Sequence, residues 1–340
     1  MMSAAVLYAA GPADAFRLES VPLPSVGPDD VLVRVQACGV SYRDVVERNG
    51  IYRRDVTFPL IMGLEISGEV VGLGRDVDRL SLGDRVCSKA FSSCGDCRWC
   101  RTGRETTCRK RRPVRGGYGQ YTCLPQDAWV RTPTDMPFEV SCGLGPGAGV
   151  ALNAVRDTAQ VTLGDTVLIT GASGGVGLPS VQLARLAGAR VIALTRSPAK
   201  VDLLKAAGAH EVVVMEADGR FAAAVKALTD GEGADVIIDT VGSRVWNEGF
   251  DSLAMHGRYA FVGQLFGEDI AINPARIFFK RARLLGVGSV SRAQLEDVIA
   301  LAASDALKPE IARVMPLEQI AEAHRLVETA AVSGRVVVTP

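Results

Sequence analysis

No surplus of charge marks this chain: 38 Lys and Arg stand against 38 Asp and Glu. A neutral chain has no overall field to draw it to nucleic acid or to an acidic membrane surface, so neither partner is expected. No apolar run approaches the roughly 18 residues of a membrane span. The opening MMSAAVLYAAGPADAF has no basic start ahead of a long apolar segment, so no secretory signal is read. The expected compartment is the cytoplasm, where thiols stay reduced. Histidine is scarce as well, with only His210, His256 and His324, all late in the chain. What remains is ordinary: 340 residues with 48% hydrophobic content suit two domains or one large one with a sizeable core.

Cysteine, by contrast, is present and patterned. In SSCGDCRWCRTGRETTCRK (92–110), Cys94, Cys97, Cys100 and Cys108 follow a C-x2-C-x2-C-x7-C spacing. In a reducing compartment that spacing reads as a metal knuckle rather than a disulfide framework. Cys38, Cys87, Cys123 and Cys142 are scattered and read as small apolar fillers.

The first 130 residues are β-rich. VLVRVQA (31–37) alternates, with Val31, Val33 and Val35 on one face and Leu32, Arg34 and Gln36 on the other. A short helix is expected near YRDVVERNG (42–50). After about residue 150, short apolar strands alternate with helical stretches: DTVLIT, then VGLPSVQLARLAGA, then RVIALT, then SPAKVDLLKAAGA and onward. That rhythm predicts an α/β domain, a doubly wound parallel sheet with helices on both faces. RLLGVGSV (283–290) is a candidate sixth strand, and GRVVVTP (334–340) is expected to return to the first domain.

The turn between the first strand and helix of that series carries Ala172, Ser173, Gly174, Gly175, Val176 and Gly177. Ala172, Gly174 and Gly177 fill the three positions of a G-x-G-x-x-G run, with Ala in the first. Small residues there let the backbone approach a pyrophosphate at the helix N-terminus. The second strand ends in Thr195, Arg196 and Ser197, with Lys200 a turn on. An NAD site usually places Asp or Glu there for the ribose diol. No acid and two nearby cations favour a 2′-phosphate, so NADPH is the expected cofactor. By the rule that ligands lie at the C-terminal ends of parallel strands, Thr240, Val241 and Gly242 flank it. So do Val262 and Gly263, with Gln264 beside them, and Gly288.

Taken together, the β-rich start, the four-cysteine lobe and the GASGGVG turn resemble the medium-chain dehydrogenase/reductase superfamily, in its zinc-type alcohol dehydrogenase branch. The resemblance covers almost the whole chain. It includes GLEISGEVVGLG through LGDRV (63–86), similar to the family's G-H-E-x-x-G-x-V-x-x-V-G run ending in G-D-R-V. It implies a GroES-like β-rich catalytic domain over residues 1–130 and 290–340, and a Rossmann NADP(H)-binding domain over 131–289. It also implies one structural zinc on Cys94, Cys97, Cys100 and Cys108. Four thiolates close a tetrahedron and leave no position open for chemistry.

The family's catalytic zinc is a second site. Its three ligand positions fall here on Ser41 in CGVSYRD, Leu64 in MGLEISG and Pro146 in LGPGAGVAL. Leucine and proline side chains offer no ligand atom, and Cys38 comes three residues early, so that zinc is expected to be absent. Direct carbonyl reduction then loses its electrophile. Reduction of a conjugated C=C asks less, because oriented donors can hold the enolate that forms. Quinone and enoyl reductases of the superfamily lack the catalytic zinc. The acryloyl-coenzyme A reductase group resembles this chain most, through Ser41-Tyr42-Arg43-Asp44, TGASGGVG and IDTVG (238–242), although it keeps G-H-E where this chain has Gly63-Leu64-Glu65.

The expected activity is therefore NADPH-dependent reduction of an enone, quinone or enoyl thioester. Tyr42 is the expected donor to the substrate oxygen. Asp44 orients its neighbours or is a plain helix-surface acid, and Ser41 donates a hydrogen bond or fills space. Tyr52, Leu64 and Pro146 line the pocket. A coenzyme A ester would need cations, and RKRR (109–112), Lys280, Arg281 and Arg283 are available. Two alternatives remain: an alcohol dehydrogenase recruiting metal through Cys38, Glu65 or Asp44, and an NADPH-binding sensor or structural protein without turnover. The resemblance implies a homodimer or homotetramer formed at the sheet edge.

Overall fold

The computed structural model describes residues 1–51 and 56–340, and Tyr52 lies outside them. The chain forms two compact units, Met1–Gly149 with Ser289–Pro340, and Val150–Gly288. Residues 131–149, which the family resemblance assigns to the Rossmann domain, pack with the first unit. The helix Phe138–Cys142 lies against the strands Asp30–Val40 and Glu65–Leu73. The Ser67 hydroxyl donates to the Phe138 carbonyl at 2.7 Å, and the Arg85 guanidinium sits 3.6 Å over the Phe138 ring.

In the first unit the main sheet runs Trp129–Arg131, Arg85–Ser88, Glu65–Leu73, Asp30–Val40, Arg335–Thr339 and Ile311–Pro316, with Tyr121–Pro125 also paired to Asp30–Val40. The alternation in the 30–40 strand decides its faces: Val31, Val33 and Val35 are buried while Arg34 is exposed. Those valines join Leu64, Ile66, Tyr118, Val336 and Val338 in one core. The strand Arg335–Thr339 pairs antiparallel with Asp30–Val40 and parallel with Ile311–Pro316, so it sits inside the sheet.

The second unit holds a six-stranded parallel sheet in the order Glu211–Val214, Arg190–Thr195, Thr166–Thr170, Ala234–Asp239, Leu253–Phe261, Arg283–Gly286. The order reverses at Thr166–Thr170, the topological switch point at which such sheets bind nucleotides. The helix Gly177–Leu186 follows that strand and buries Leu178, Val181, Leu183 and Ala184. Two wide π-type turns, Leu144–Gly149 and Asn153–Thr158, interrupt the helical stretch that leads into this unit. Neither has a periodic signature in LGPGAG or NAVRDT, and such turns occur often at functional sites.

Candidate active site and nucleotide turn

The motif Ser41-Tyr42-Arg43-Asp44 first does a local job. Ser41 caps the helix Tyr42–Arg48 and Asp44 reaches back to it, a reciprocal capping box. The Ser41 N–H donates to Asp44 Oδ2 at 2.9 Å and the Ser41 hydroxyl donates to the same oxygen at 2.6 Å. The reading of Asp44 as a helix-surface acid is corrected, because its side chain is fully buried. The Ser41 hydroxyl gives its one proton to Asp44. Burial pushes the Asp44 carboxyl up to about 6, against the pull of the Ser41 hydrogen bonds and of Arg43. Among the described residues, Asp44 Oδ1 is buried with no hydrogen-bond partner.

Glu65 is the second buried acid, 1% exposed. Arg335 Nε lies 2.9 Å from its Oε2, but no N–H is aligned to donate to that oxygen. Burial lifts Glu65 to about 7, opposed by Arg335 and reinforced by the Asp44 charge. The sign of the linkage follows. A carboxyl whose folded pKa is raised favours folding below its unfolded value, and that contribution fades as pH rises through 4.5 towards 7. Wild type should therefore lose stability from pH 5 to 8 relative to Glu65→Gln, by on the order of 3 kcal/mol at full effect. Urea melts of the two proteins across that range check it, and parallel curves would refute it. At pH 5 the wild-type carboxyl is itself neutral, so the two proteins should differ least there.

The three positions that would hold a catalytic zinc are now defined locally. Ser41 is committed to Asp44. Leu64 is 3% exposed, an apolar side chain with no donor atom. Pro146 is half-buried in the first π-type turn. Tyr42 is half-buried at the first position of its helix. Cys38 is fully buried, and burial together with the Asp44 charge holds its thiol well above the usual range. Among the described residues, the four-cysteine lobe is the group of three or more His, Cys, Asp or Glu that could share an ion. Cys38, Asp44 and Glu65 do not form one.

The lobe fits a metal. Cys97 and Cys100 sulfurs are 3.4 Å apart, Cys94 and Cys108 3.5 Å, and Cys94 and Cys100 3.9 Å. Tetrahedral zinc with Zn–S near 2.3 Å needs sulfurs about 3.8 Å apart. Backbone N–H groups of Cys97 and Asp96 pull the Cys94 thiol down to about 6, while burial and the neighbouring thiols push Cys100 up to about 12. Arg98, Arg101, Arg104, Arg109, Lys110 and Arg112 are exposed around it. Lys280 is less available for phosphates: its ammonium is turned onto the Leu253 carbonyl and near the Phe250 ring.

In the second unit, Ala172 through Gly177 form the turn ahead of the Gly177–Leu186 helix. A Cβ on Gly177 would overlap the Gly171 carbonyl, so only glycine fits there. Lys200 folds back so that its ammonium lies 3.4 Å from the Ser173 hydroxyl. That places a cation over the turn, and exposed Arg196 stands at the end of the second strand. Ser197 N–H donates to the Thr195 hydroxyl at 3.1 Å, which fixes the strand end.

The end of the fourth strand, Ala234–Asp239, was legible in the sequence, but the acid that holds it was not. Asp239 is fully buried and its Oδ1 accepts from the Thr170 hydroxyl at 2.6 Å and from the Val241 and Gly242 N–H groups at 2.9 and 3.0 Å. Its Oδ2 accepts from the Tyr259 hydroxyl at 2.8 Å. The Thr240 hydroxyl donates to the Thr170 carbonyl. Val262 and Gly263 N–H groups donate to the Asp239 carbonyl at 2.8 and 3.2 Å. Asp239 thus draws the two segments together, Thr240–Gly242 through its carboxylate and Val262–Gly263 through its backbone carbonyl. Gly242, at φ +95°, needs the left-handed freedom of glycine. Gly288 is tied by its carbonyl to Asn153 at 3.2 Å.

A parallel sheet with a Gly-rich turn at its switch point, in one chain with a β-rich unit bearing a four-cysteine lobe, defines a nucleotide-dependent dehydrogenase class. The comparisons agree. A family model described as an alcohol dehydrogenase GroES-like domain matches residues 27–134, and one described as a zinc-binding dehydrogenase matches 175–304. An acryloyl-coenzyme A reductase of Sulfurisphaera tokodaii is 30% identical over 97% of this chain and 98% of its own. An NAD-dependent alcohol dehydrogenase of Sulfolobus acidocaldarius is 31% identical over 98% of each chain. A solved structure, the crystal structure of AibC, is 40% identical with a TM-score of 0.92, covering 100% of this chain and 96% of that one. The chain belongs to the medium-chain dehydrogenase/reductase superfamily and is an oxidoreductase of its alcohol dehydrogenase-like branch. No helix of the described residues is long and apolar enough to cross a membrane.

Proposed function

We propose that this oxidoreductase reduces the activated C=C of a small molecule, an enoyl thioester in the first place, with NADPH and without a catalytic zinc. The observation that carries the reading is Leu64: a buried apolar side chain stands where a metal ligand would be needed, next to a Glu65 whose burial favours its neutral form. When bound, the reduced nicotinamide supplies the hydride. The chain's own residues do the rest. Tyr42 donates to the substrate carbonyl oxygen as negative charge spreads onto it, an effect worth a few kcal/mol per donor. Leu64 and Pro146 give the alkene an apolar wall. Ala172 through Gly177 cradle the pyrophosphate, Thr195, Arg196, Ser197 and Lys200 hold the 2′-phosphate, and Thr240–Gly242, Val262, Gly263 and Gly288 flank the remaining nucleotide. Cys94, Cys97, Cys100 and Cys108 hold one zinc, which only braces the lobe. The choice of thioester leans on the name of the S. tokodaii relative and on the exposed cations at 98–112. Two or four copies join through the edge strand Arg283–Gly286.

The test is NADPH oxidation across a panel of 2-enoyl thioesters, enones and quinones, set against saturated aldehydes and ketones, with metal analysis of the same preparation. Consumption with the conjugated substrates only, and about one zinc per chain, is expected. Chelator-sensitive alcohol oxidation with two zincs per chain would replace this reading with a metal-dependent dehydrogenase. Tight NADPH binding with no turnover on any acceptor would make the protein a sensor.

A further inference from the structure

Behind the capped helix lies a line of buried polar groups that the reaction above does not use. Arg48 is 1% exposed, and His324 and Tyr118 are fully buried. Arg48 donates to Glu328 at 2.9 Å, to the Asn49 side chain at 2.9 Å and to the Gly11 carbonyl at 3.1 Å. Its remaining terminal nitrogen lies 3.2 Å from His324 Nδ1, and His324 Nε2 lies 3.1 Å from the Tyr118 hydroxyl oxygen. Phe16 packs on both rings, and a Cβ on Gly63 would press 2.7 Å from the Tyr118 ring.

Donor counting gives this line one direction. A guanidinium can only donate, so His324 Nδ1 must accept and Nε2 must carry the proton. Burial and the Arg48 charge both hold the ring neutral, well below the usual histidine range, at about 3. Nε2–H therefore donates to the Tyr118 oxygen, and the Tyr118 proton must go elsewhere. Asp44 is the charged group acting most strongly on that hydroxyl, ahead of Cys38 and Glu65, and its Oδ1, like Glu65 Oε2, is a buried carboxylate oxygen without an aligned partner. The same residue's Oδ2 already takes both Ser41 donors.

We propose that Tyr118 is a positioning residue for Asp44: the Glu328–Arg48–His324 line fixes the polarity of its hydroxyl, whose proton is then left for Asp44 Oδ1. The inference rests on Ser41 and Asp44 belonging to the substrate side of the proposed reductase. The line is no proton conduit to solvent, because Arg48 cannot give up its charge. Its effect is to hold Asp44 ionised and the Ser41 proton on it. The other groups facing Asp44 are Arg43 and Glu47 on its own helix, and Cys38 and Glu65 from the neighbouring strands. None of these donates to Oδ1.

Two readouts separate this from the activity itself. The chain has three histidines, so ¹⁵N-histidine spectra assign His324 by one substitution. His324 should stay neutral, protonated on Nε2, from pH 5 to 9, and an Nδ1–H tautomer would overturn the inference. Difference infrared spectroscopy, with Asp44→Asn as the blank, follows the Asp44 carboxyl through its titration. Tyr118→Phe should raise its midpoint by about one pH unit, the size expected on losing a donor to a charged group. His324→Leu should do the same. His324→Gln, which can accept from Arg48 and donate to Tyr118, should restore the wild-type midpoint, a rescue that packing alone would not produce. An unmoved midpoint in folded Tyr118→Phe overturns the proposal. Should the midpoint move while no conjugated substrate is turned over, the positioning role stands and the reductase reading fails. With both correct, the pH profile of kcat/KM moves with the infrared midpoint.

Discussion

Arg196→Ala combined with Lys200→Ala is expected to lower kcat/KM for NADPH by about a hundredfold while leaving NADH nearly unchanged. The argument is electrostatic. NADPH differs from NADH by one phosphate on the adenosine ribose, and only groups at the end of the second strand can sense it. A charge-assisted hydrogen bond contributes about 1.5–3 kcal/mol. Arg196 is exposed and screened, so the lower figure applies to it, about tenfold. Lys200 is half-buried, its ammonium is disfavoured by burial and by Arg196, and it is already turned towards Ser173. A bound phosphate would relieve both penalties, which argues for a further tenfold or more. The loss should lie in KM for the cofactor. Initial-rate kinetics with both nucleotides measure it. A wild type that prefers NADH, with a double variant indistinguishable from it, would remove NADPH from the reading.

Cys97→Ser should release the zinc and unfold the lobe. On the proposed zinc, four thiolates around one ion would replace the hydrophobic core that residues 92–110 lack: Trp99, Glu105 and Thr106 are half-buried and Cys108 is the one fully buried position between Cys94 and Lys110. In isolated zinc modules binding of the metal accounts for about 10–16 kcal/mol of apparent folding energy. Here the lobe is anchored at both ends, by Ser93 hydrogen bonds to Asp127 and by the pairing of Phe91 with Pro113, so part of that is retained. A fall of about 10 °C in the first thermal transition is expected. Trypsin should then cut among the arginines from 98 to 112, which the folded lobe protects. Cofactor binding should persist, since the parallel sheet has its own core around Leu168, Ile192, Ile237 and Tyr259. Retained zinc, or an unchanged melt without it, would contradict the assignment.

Legibility in the sequence followed locality. The parallel strands and the turn at 172–177 are runs of consecutive residues with their own periodicity, and the structure places strands at Thr166–Thr170, Arg190–Thr195 and Ala234–Asp239 as the rhythm predicts. The return of the last strand to the first unit was also readable, from its position after the alternating series. The capping box was visible as S-x-x-D but hidden behind a functional reading of the same letters. Arg335, Tyr118 and His324 could not be found in advance. Arg335 and His324 meet Glu65 and Arg48 from up to 276 residues away, and Tyr118 meets His324 across 206, through contacts no periodicity encodes. Burial decided the rest: nothing in the letters of Asp44, Glu65 or Asp239 says that each would lose its water.

The strand Arg335–Thr339, wedged between Asp30–Val40 and Ile311–Pro316, also bears on how the chain comes to be made. Residues 150–288 can emerge from the ribosome and fold while that strand is still unsynthesised, because every strand of their sheet is already in hand. The earlier residues must wait with an open sheet edge at Cys38–Val40 until residues 335–339 are made. The nascent protein therefore finishes the part it began first, and the interval in which that edge stays bare is its period of greatest dependence on chaperones.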